Sequence, residues 1–149
     1  MKISIITVCY NSSKTIEKTF QSIKNQSYQN IEYIVVDGAS SDDTLKIIKN
    51  YNSCISKYIS ESDKGLYDAM NKGIALATGD IIGILNSDDI FHSNNIIQEL
   101  TNIISKNKSC GVFLGNVAYF DNLDYYKITR FYSSSNFKTW KMKFGLILL

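Results

Sequence analysis

The sequence of 149 residues contains no proline. At an average usage of about 5%, roughly seven would be expected. Arginine is almost as scarce, with Arg130 alone beside 15 lysines. Together with abundant Ile and Asn, this skew reads as genome composition and excludes no chemistry. The other scarcities exclude more. Neither sign of charge is in excess, since 16 basic residues face 14 acidic ones. That balance argues against a nucleic-acid binder held mainly by phosphate contacts. Only three cysteines occur, Cys9, Cys54 and Cys110, and they lie far apart. An odd count without CxxC spacing gives neither a disulfide framework nor a zinc site. Three reduced thiols in a cytosolic chain is the plain reading. No stretch approaches the roughly 18 apolar residues of a membrane span. The apolar start, Ile3 to Val8, turns polar at Tyr10, Asn11 and Ser12, too soon for a signal peptide. Other signatures are missing too: no GxxxxGK[ST], no GxGxxG after the first apolar run, no GxSxG and no HExxH.

What is present describes a globular chain. Hydrophobic residues make up 44% and charged residues 20%. A domain of this size buries roughly 68–70% of the surface its unfolded chain exposes. Strand and helix signals alternate. Ile3–Tyr10 is a continuous β-branched run, as in a strand covered on both faces. Asn11–Ser13 offer helix caps before a stripe of Ile16, Phe20 and Ile23. Ile31–Val36 is a second buried strand closed by Asp37-Gly38, and Ser40 to Asp43 offer caps for a short helix through Leu45, Ile48 and Tyr51. Lys57–Ser60 reads as a third strand, and Leu66–Thr78 as a helix stopped by Gly79. Ile81–Leu85 is a fourth strand. Ser93 or Asn94 caps a helix with a stripe of Ile96, Ile97, Leu100, Ile103 and Ile104. Val112–Phe120 reads as a fifth strand, after which the pattern weakens into a loop at Ser133–Ser135. Alternation of this kind predicts an α/β fold with a mostly parallel sheet flanked by helices, in one domain over 1–149. The apolar end, Phe144 to Leu149, suggests a chain cut inside a larger fold or docked on something, hence self-association through that end.

Ligands of open α/β sheets bind outside the carboxyl ends of the strands. The residues following the four strands are therefore the candidates. They are Tyr10, Asn11 and Ser12; Asp37, Gly38, Ser40 and Asp42; Glu61, Asp63 and Lys64; and Asn86, Ser87, Asp88 and Asp89. Carboxylates gathered on one edge repel, and a divalent cation with hard oxygen ligands, Mg²⁺ or Mn²⁺, relieves that repulsion. Singly, each has a plainer reading. Asp37-Gly38 is also a turn, Ser40 to Asp42 are also caps, and Lys64-Gly65 is also a solvated loop. The combination is sharper than any part.

Four blocks in order, ISIITVCYN (3–11), VVDGASSDD (35–43), DKGLYDAMNKG (63–73) and ATGDIIGILNSDD (77–89), resemble the nucleotide-sugar-binding half of family 2 glycosyltransferases. These have a Rossmann-like GT-A fold, and the likeness is to members that build bacterial surface polysaccharides. The resemblance implies a donor nucleotide, a UDP-sugar first, with Tyr10 and Asn11 lining its base and ribose pocket. It gives Asp37 to the nucleobase or ribose, and Asp63 and Lys64 to the border of the nucleotide and its diphosphate. Asp88 and Asp89 match the end of the family's metal motif. Asp89 is expected to hold Mn²⁺ or Mg²⁺, and Asp88 to touch ribose, sugar or a metal-bound water. Asn86 stands where many relatives carry another Asp. The reaction implied is metal-dependent inverting transfer to a glycan or lipid-linked acceptor at the cytoplasmic face of a membrane, with no nucleic acid involved. No residue is assigned as catalytic base. Asp121 and Asp124 sit in no recognisable base motif, and Trp140–Gly145 resembles the approach to the acceptor region of a C-terminal half that is mostly missing. Two alternatives stand beside this reading: an inactive chain that only binds nucleoside diphosphate, and a receiver-like signalling domain, in which DKGLYDAMNKG has no role.

Overall fold

Seven consecutive buried residues, Ile3–Cys9, form strand β1 at the centre of the main sheet. A computed structural model of the chain describes residues 1–121 and 124–136. It shows two compact units, residues 1–106 and residues from 107 onward. In the first, β1 pairs in parallel with β2 (Ile31–Asp37) on one side and β4 (Ile81–Ile84) on the other. Strand β3 (Lys57–Ser60) pairs in parallel with β2, which gives the order β3-β2-β1-β4. Helices α1 (Ile16–Lys24), α2 (Thr44–Asn50), α3 (Leu66–Leu76) and α4 (Ile96–Lys106) supply the remaining elements of the unit.

Both faces of the central strands are covered, which is why they read as unbroken apolar runs. One face buries Ile3, Ile5, Tyr33 and Val35 against Ile16 and Phe20 of α1, Ile48 of α2 and Ile97 of α4. The Phe20 ring meets Tyr33 edge-on at 5.7 Å. The other face buries Ile6, Val8, Ile34 and Val36 against Ala69 of α3. The sheet is parallel, as the alternating pattern predicts.

At the amino-terminal edge of the sheet Glu32 ties the elements together. Its side chain is 4% exposed. Its carboxylate accepts from Ser4 Oγ at 2.6 Å, Thr78 N at 2.7 Å and Thr78 Oγ1 at 2.8 Å. Lys2 Nζ and Lys57 Nζ each lie 3.1 Å away. Burial pulls the Glu32 pKa up, but these donors outweigh it and hold the carboxyl far below its ordinary range.

In the second unit β5 (Val117–Asp121) and β6 (Asp124–Tyr132) form an antiparallel hairpin. A 3₁₀ turn at Ser134–Asn136 follows, where Ser134 donates through N and Oγ to Asn116 Oδ1. The expected fifth strand begins at Val117 instead of Val112. Strand β6 has no counterpart in the sequence reading, because its mixture of Tyr, Lys, Thr and Arg lacks a two-residue alternation of apolar and polar. The Trp140–Gly145 and Phe144–Leu149 expectations lie outside the described residues. Among the described residues no helix is long and apolar enough to cross a membrane.

Candidate functional site

The carboxyl ends of four parallel strands open on one cleft of about 810 Å³. Tyr10 and Ser12 come from the loop after β1 and Gly38 from the loop after β2. Asp63 follows β3, and Asn86 and Asp88 follow β4. Gly65 and Leu66, the start of α3, complete the wall. No side chain caps that helix end. The first turn of a helix leaves N–H groups without intrahelical partners, and they favour an anion.

The loops are bonded to one another more than to the helices they precede. Asn11, at φ 49°, donates its N–H to Ser40 Oγ at 2.8 Å and accepts from Ser41 N at 2.9 Å. Asp42 accepts from Ser13 N at 3.1 Å and from Thr44 N at 3.0 Å. The Thr44 hydroxyl first, and then these donors, hold the Asp42 carboxyl well below its ordinary range. Ser12 N donates to Thr44 Oγ1 at 2.8 Å, and the Ser12 and Ser87 hydroxyls meet at 2.9 Å. The caps expected at 11–13 and 40–43 are therefore mostly loop-to-loop bridges. The N-cap residues Thr15 of α1 and Asp43 of α2 make no side-chain capping bond, while Asp42 accepts from the first N–H of α2 at Thr44. The reason is geometric: parallel pairing in register brings Cys9 opposite Asp37, so both strands release their loops at the same level.

The seven candidate residues fall into two groups. Tyr10, 65% exposed, Asp63 and Asp88 line the cleft. Asn11 lines an adjoining hollow that shares Ser12, Ser87 and Asp88 with it. Asp37, Lys64 and Asp89 are not part of either lining. Asp37 is completely buried below the cleft. Its carboxylate accepts from Ser40 N at 3.1 Å, from the Ser40 hydroxyl and from Ser60 Oγ at 2.7 Å. It thus holds the 38–40 loop from beneath. Beside it, burial first and the Asp37 charge second push the Cys9 thiol far up, which keeps it an inert neutral group. Lys64 is exposed, and its backbone N–H donates to Asp68 Oδ2 at 3.1 Å. Asp89 accepts from Asn86 Nδ2 at 3.1 Å. The surrounding protein first and the Asp88 charge second push the Asp89 carboxyl above its ordinary value.

Sequence reasoning left Ser12, Ser87 and Asn86 without roles. The structure gives them one: Ser12 and Ser87 lock the β1 and β4 loops together. Asn86 Oδ1 is buried with no hydrogen-bond partner among the described residues. Their position directly after a strand was the available signal. The cleft lining includes carboxylates but no Lys or Arg. Asp88 and Asn86, on the cleft, and Asp89 beside them carry hard oxygen atoms of the kind a divalent cation takes. Among the described residues no three His, Cys, Asp or Glu side chains cluster closely enough to form a metal site by themselves. Asp121, in the second unit, pairs with Lys127 at 3.6 Å.

Residues 4–148 match the model of glycosyl transferase family 2. The UDP-Glc:alpha-D-GlcNAc-diphosphoundecaprenol beta-1,3-glucosyltransferase WfgD of Escherichia coli is 34% identical over 108 residues, which are 72% of this chain and 43% of that protein. S. aureus TarS 1–349, solved in complex with UDP-GlcNAc, superposes with a TM-score of 0.67 at 26% identity, over 72% of this chain and 32% of that one. Glucosyl-3-phosphoglycerate synthase of Mycobacterium tuberculosis, solved with Mn²⁺, UDP and glucosyl-3-phosphoglycerate, gives 0.51 at 25% identity, over 58% of this chain and 33% of that one. The chain spans less than half the length of each of these proteins.

Proposed function

The chain belongs to glycosyl transferase family 2, and on that premise we propose that its cleft holds the nucleoside diphosphate of a sugar donor. The whole protein then transfers the sugar to a glycan or lipid-linked acceptor in surface polysaccharide synthesis, with inversion at the anomeric carbon. The work is done at the cytoplasmic face of a membrane. One observation carries the reading: four strand-end loops converge on a single cleft, with Asp88 and Asn86 on one wall and the uncapped start of α3 on another. The UDP-GlcNAc complex of TarS and the UDP-containing complex of the synthase support a UDP-sugar as donor. Membership of this family leaves no support for a receiver-like domain.

Each element of the chain has a task. Tyr10 offers an exposed ring for the base to stack on. Asp37, through Ser40, fixes the loop that the nucleoside rests against. The α3 amino terminus faces the diphosphate, and Lys64 adds a positive point charge at its border. Asp88 and Asp89, with Asn86, would hold Mn²⁺ or Mg²⁺; the Mn²⁺ of the synthase complex supports this. When bound, the ion supplies Lewis-acid stabilisation of charge on the leaving diphosphate. The Ser12–Ser87 bond keeps the nucleotide wall and the Asp88 wall at a fixed separation.

Calorimetric titration of UDP and GDP, with Mn²⁺ and again with EDTA, tests the reading. Binding that requires the metal is expected. Asp89→Ala removes only an acceptor of the Asn86 amide from the described contacts, so it should abolish metal-dependent binding and leave the melting curve nearly unchanged. Wild-type affinity for UDP in that variant would remove the metal assignment. Folded wild-type chain that takes neither nucleotide would remove the function.

A further inference from the structure

The loop between β3 and α3 is held by a charge network that lies outside the cleft. Ser62, Asp63 and Gly65 of that loop line the cleft, and Leu66 opens α3 beside them. Glu61, Asp68 and Lys72 line neither the cleft nor the adjoining hollow. Lys72 Nζ lies 2.8 Å from Glu61 Oε1 and 3.4 Å from Asp68 Oδ2, and it donates to the Ser62 carbonyl at 2.9 Å. One ammonium thus meets three acceptors with its three N–H groups. Asp68 Oδ2 also accepts from Lys64 N at 3.1 Å. The helix that carries Lys72 is itself fixed. Ala69 is buried against the sheet, and a Cβ on Gly73 would collide with Ile6. The loop is equally tight on its other side, where a Cβ on Gly38 would collide with Asp63 Oδ2. Gly65 turns the chain into α3 at φ 111°. Glycine permits that backbone but does not enforce it, so the fixing falls to the side chains around it.

We propose that Lys72 is a positioning residue for the diphosphate wall of the cleft. It stands outside the cleft and acts through the loop. It pins residues 61–65 to α3, and so fixes the uncapped helix start that the diphosphate faces. This rests on the donor-site reading above. Without the ammonium, the Ser62 carbonyl loses its donor, and two carboxylates are left around the space it held. Their repulsion drives the loop off the helix. The charge of Lys72 is not what attracts the ligand, since Glu61 and Asp68 flank and neutralise it.

The test is titration of UDP and of uridine, each with Mn²⁺, into the full chain and three variants. Lys72→Met keeps an aliphatic stem and a good helix former. It should lower UDP affinity about 10-fold, the lower end of what losing a hydrogen bond to a charged group costs. Uridine affinity should stay unchanged, and the Lys64 and Gly65 amides should exchange faster. Asp68→Asn makes the chain more positive, yet it should weaken UDP binding as well. The double variant should bind UDP no worse than Lys72→Met alone, because both act on one network. Tighter UDP binding by Asp68→Asn would show that Lys72 acts as a charge on the ligand, and overturns the proposal. So does wild-type UDP affinity in a folded Lys72→Met chain. An equal loss of UDP and uridine marks a merely structural role and overturns it too. If Lys72→Met does not fold, Asp68→Asn decides: weaker UDP binding upholds the proposal, and unchanged or tighter binding overturns it. In each of these outcomes the donor-site reading survives. A folded wild-type chain that binds neither ligand overturns that reading and this inference with it.

Discussion

Glu32 shows how much one buried residue sets. Its folded pKa lies below the ordinary value of 4.5. The stability it contributes is therefore present above about pH 4.5 and is lost as the pH falls from there toward the depressed folded value. Glu32→Gln should destabilise the fold at pH 7 by about 1–3 kcal/mol, because Lys2, Lys57, Ser4 and Thr78 lose a charged acceptor. Its urea midpoint should also change less between pH 5 and pH 3 than that of the wild type. An equally steep acid limb in the variant would mean that other carboxylates govern it. Asp37 makes the companion case at the other end of β2. As Asp37→Asn, one oxygen becomes an NH₂ facing either the Ser40 N–H and Ser60 Oγ, which share Oδ2, or the Ser40 hydroxyl on Oδ1. UDP affinity should fall even without metal, and the 38–40 loop should exchange its amide hydrogens faster. Weaker binding with unchanged exchange would return Asp37 to direct contact with the nucleoside.

At the scale of elements, close approach decides more than propensity. Gly79 sits between α3 and β4, where a Cβ would stand 2.7 Å from Ser4 N and 2.9 Å from Lys2 O. Those are backbone atoms that cannot swing away. Gly79→Ala should cost about 1–3 kcal/mol, read as a lower melting temperature. An unchanged melt would mean that β4 can shift along β1. Phe20, completely buried on α1 against Tyr33, is the sequence-legible counterpart. Its place in the Ile16–Phe20–Ile23 stripe identified it as core, and Phe20→Ala should cost about 3–5 kcal/mol. The order of elements through α4 was readable because apolar period alone separates two-sided strands from one-sided helices. The bridges between loops were not, because Ser, Asn and Asp next to a helix satisfy the description of a cap equally well. Only the neighbouring strand shows that the partners of Asn11 are Ser40 and Ser41.

For the whole molecule, the division after Lys106 matters most. Every residue named in the cleft lies between Tyr10 and Asp88, inside the first unit. The cores on both faces of the sheet lie there as well. A chain ending at Lys106 should therefore melt cooperatively by circular dichroism and keep its Mn²⁺-dependent affinity for UDP within a few-fold. Loss of binding from a folded chain of that length would show that residues beyond 106 complete the site.

Sequence by itself determined the class of fold, the run of elements to α4 and the edge of the sheet where chemistry gathers. Each follows from local period and from the rule that parallel strands release their loops on one side. Four ordered blocks also pointed to the family to which the chain belongs. Only the tertiary structure decided which of the gathered residues share a surface. It put Tyr10, Asp63 and Asp88 on one cleft and left Asp37 beneath it. Strand register and side-chain direction set that choice. A residue just past a strand faces the ligand or supports the loop that does, according to which way its side chain points. Spacing along the chain carries no record of that direction, nor of the space at Gly38 that a residue 25 positions later comes to fill.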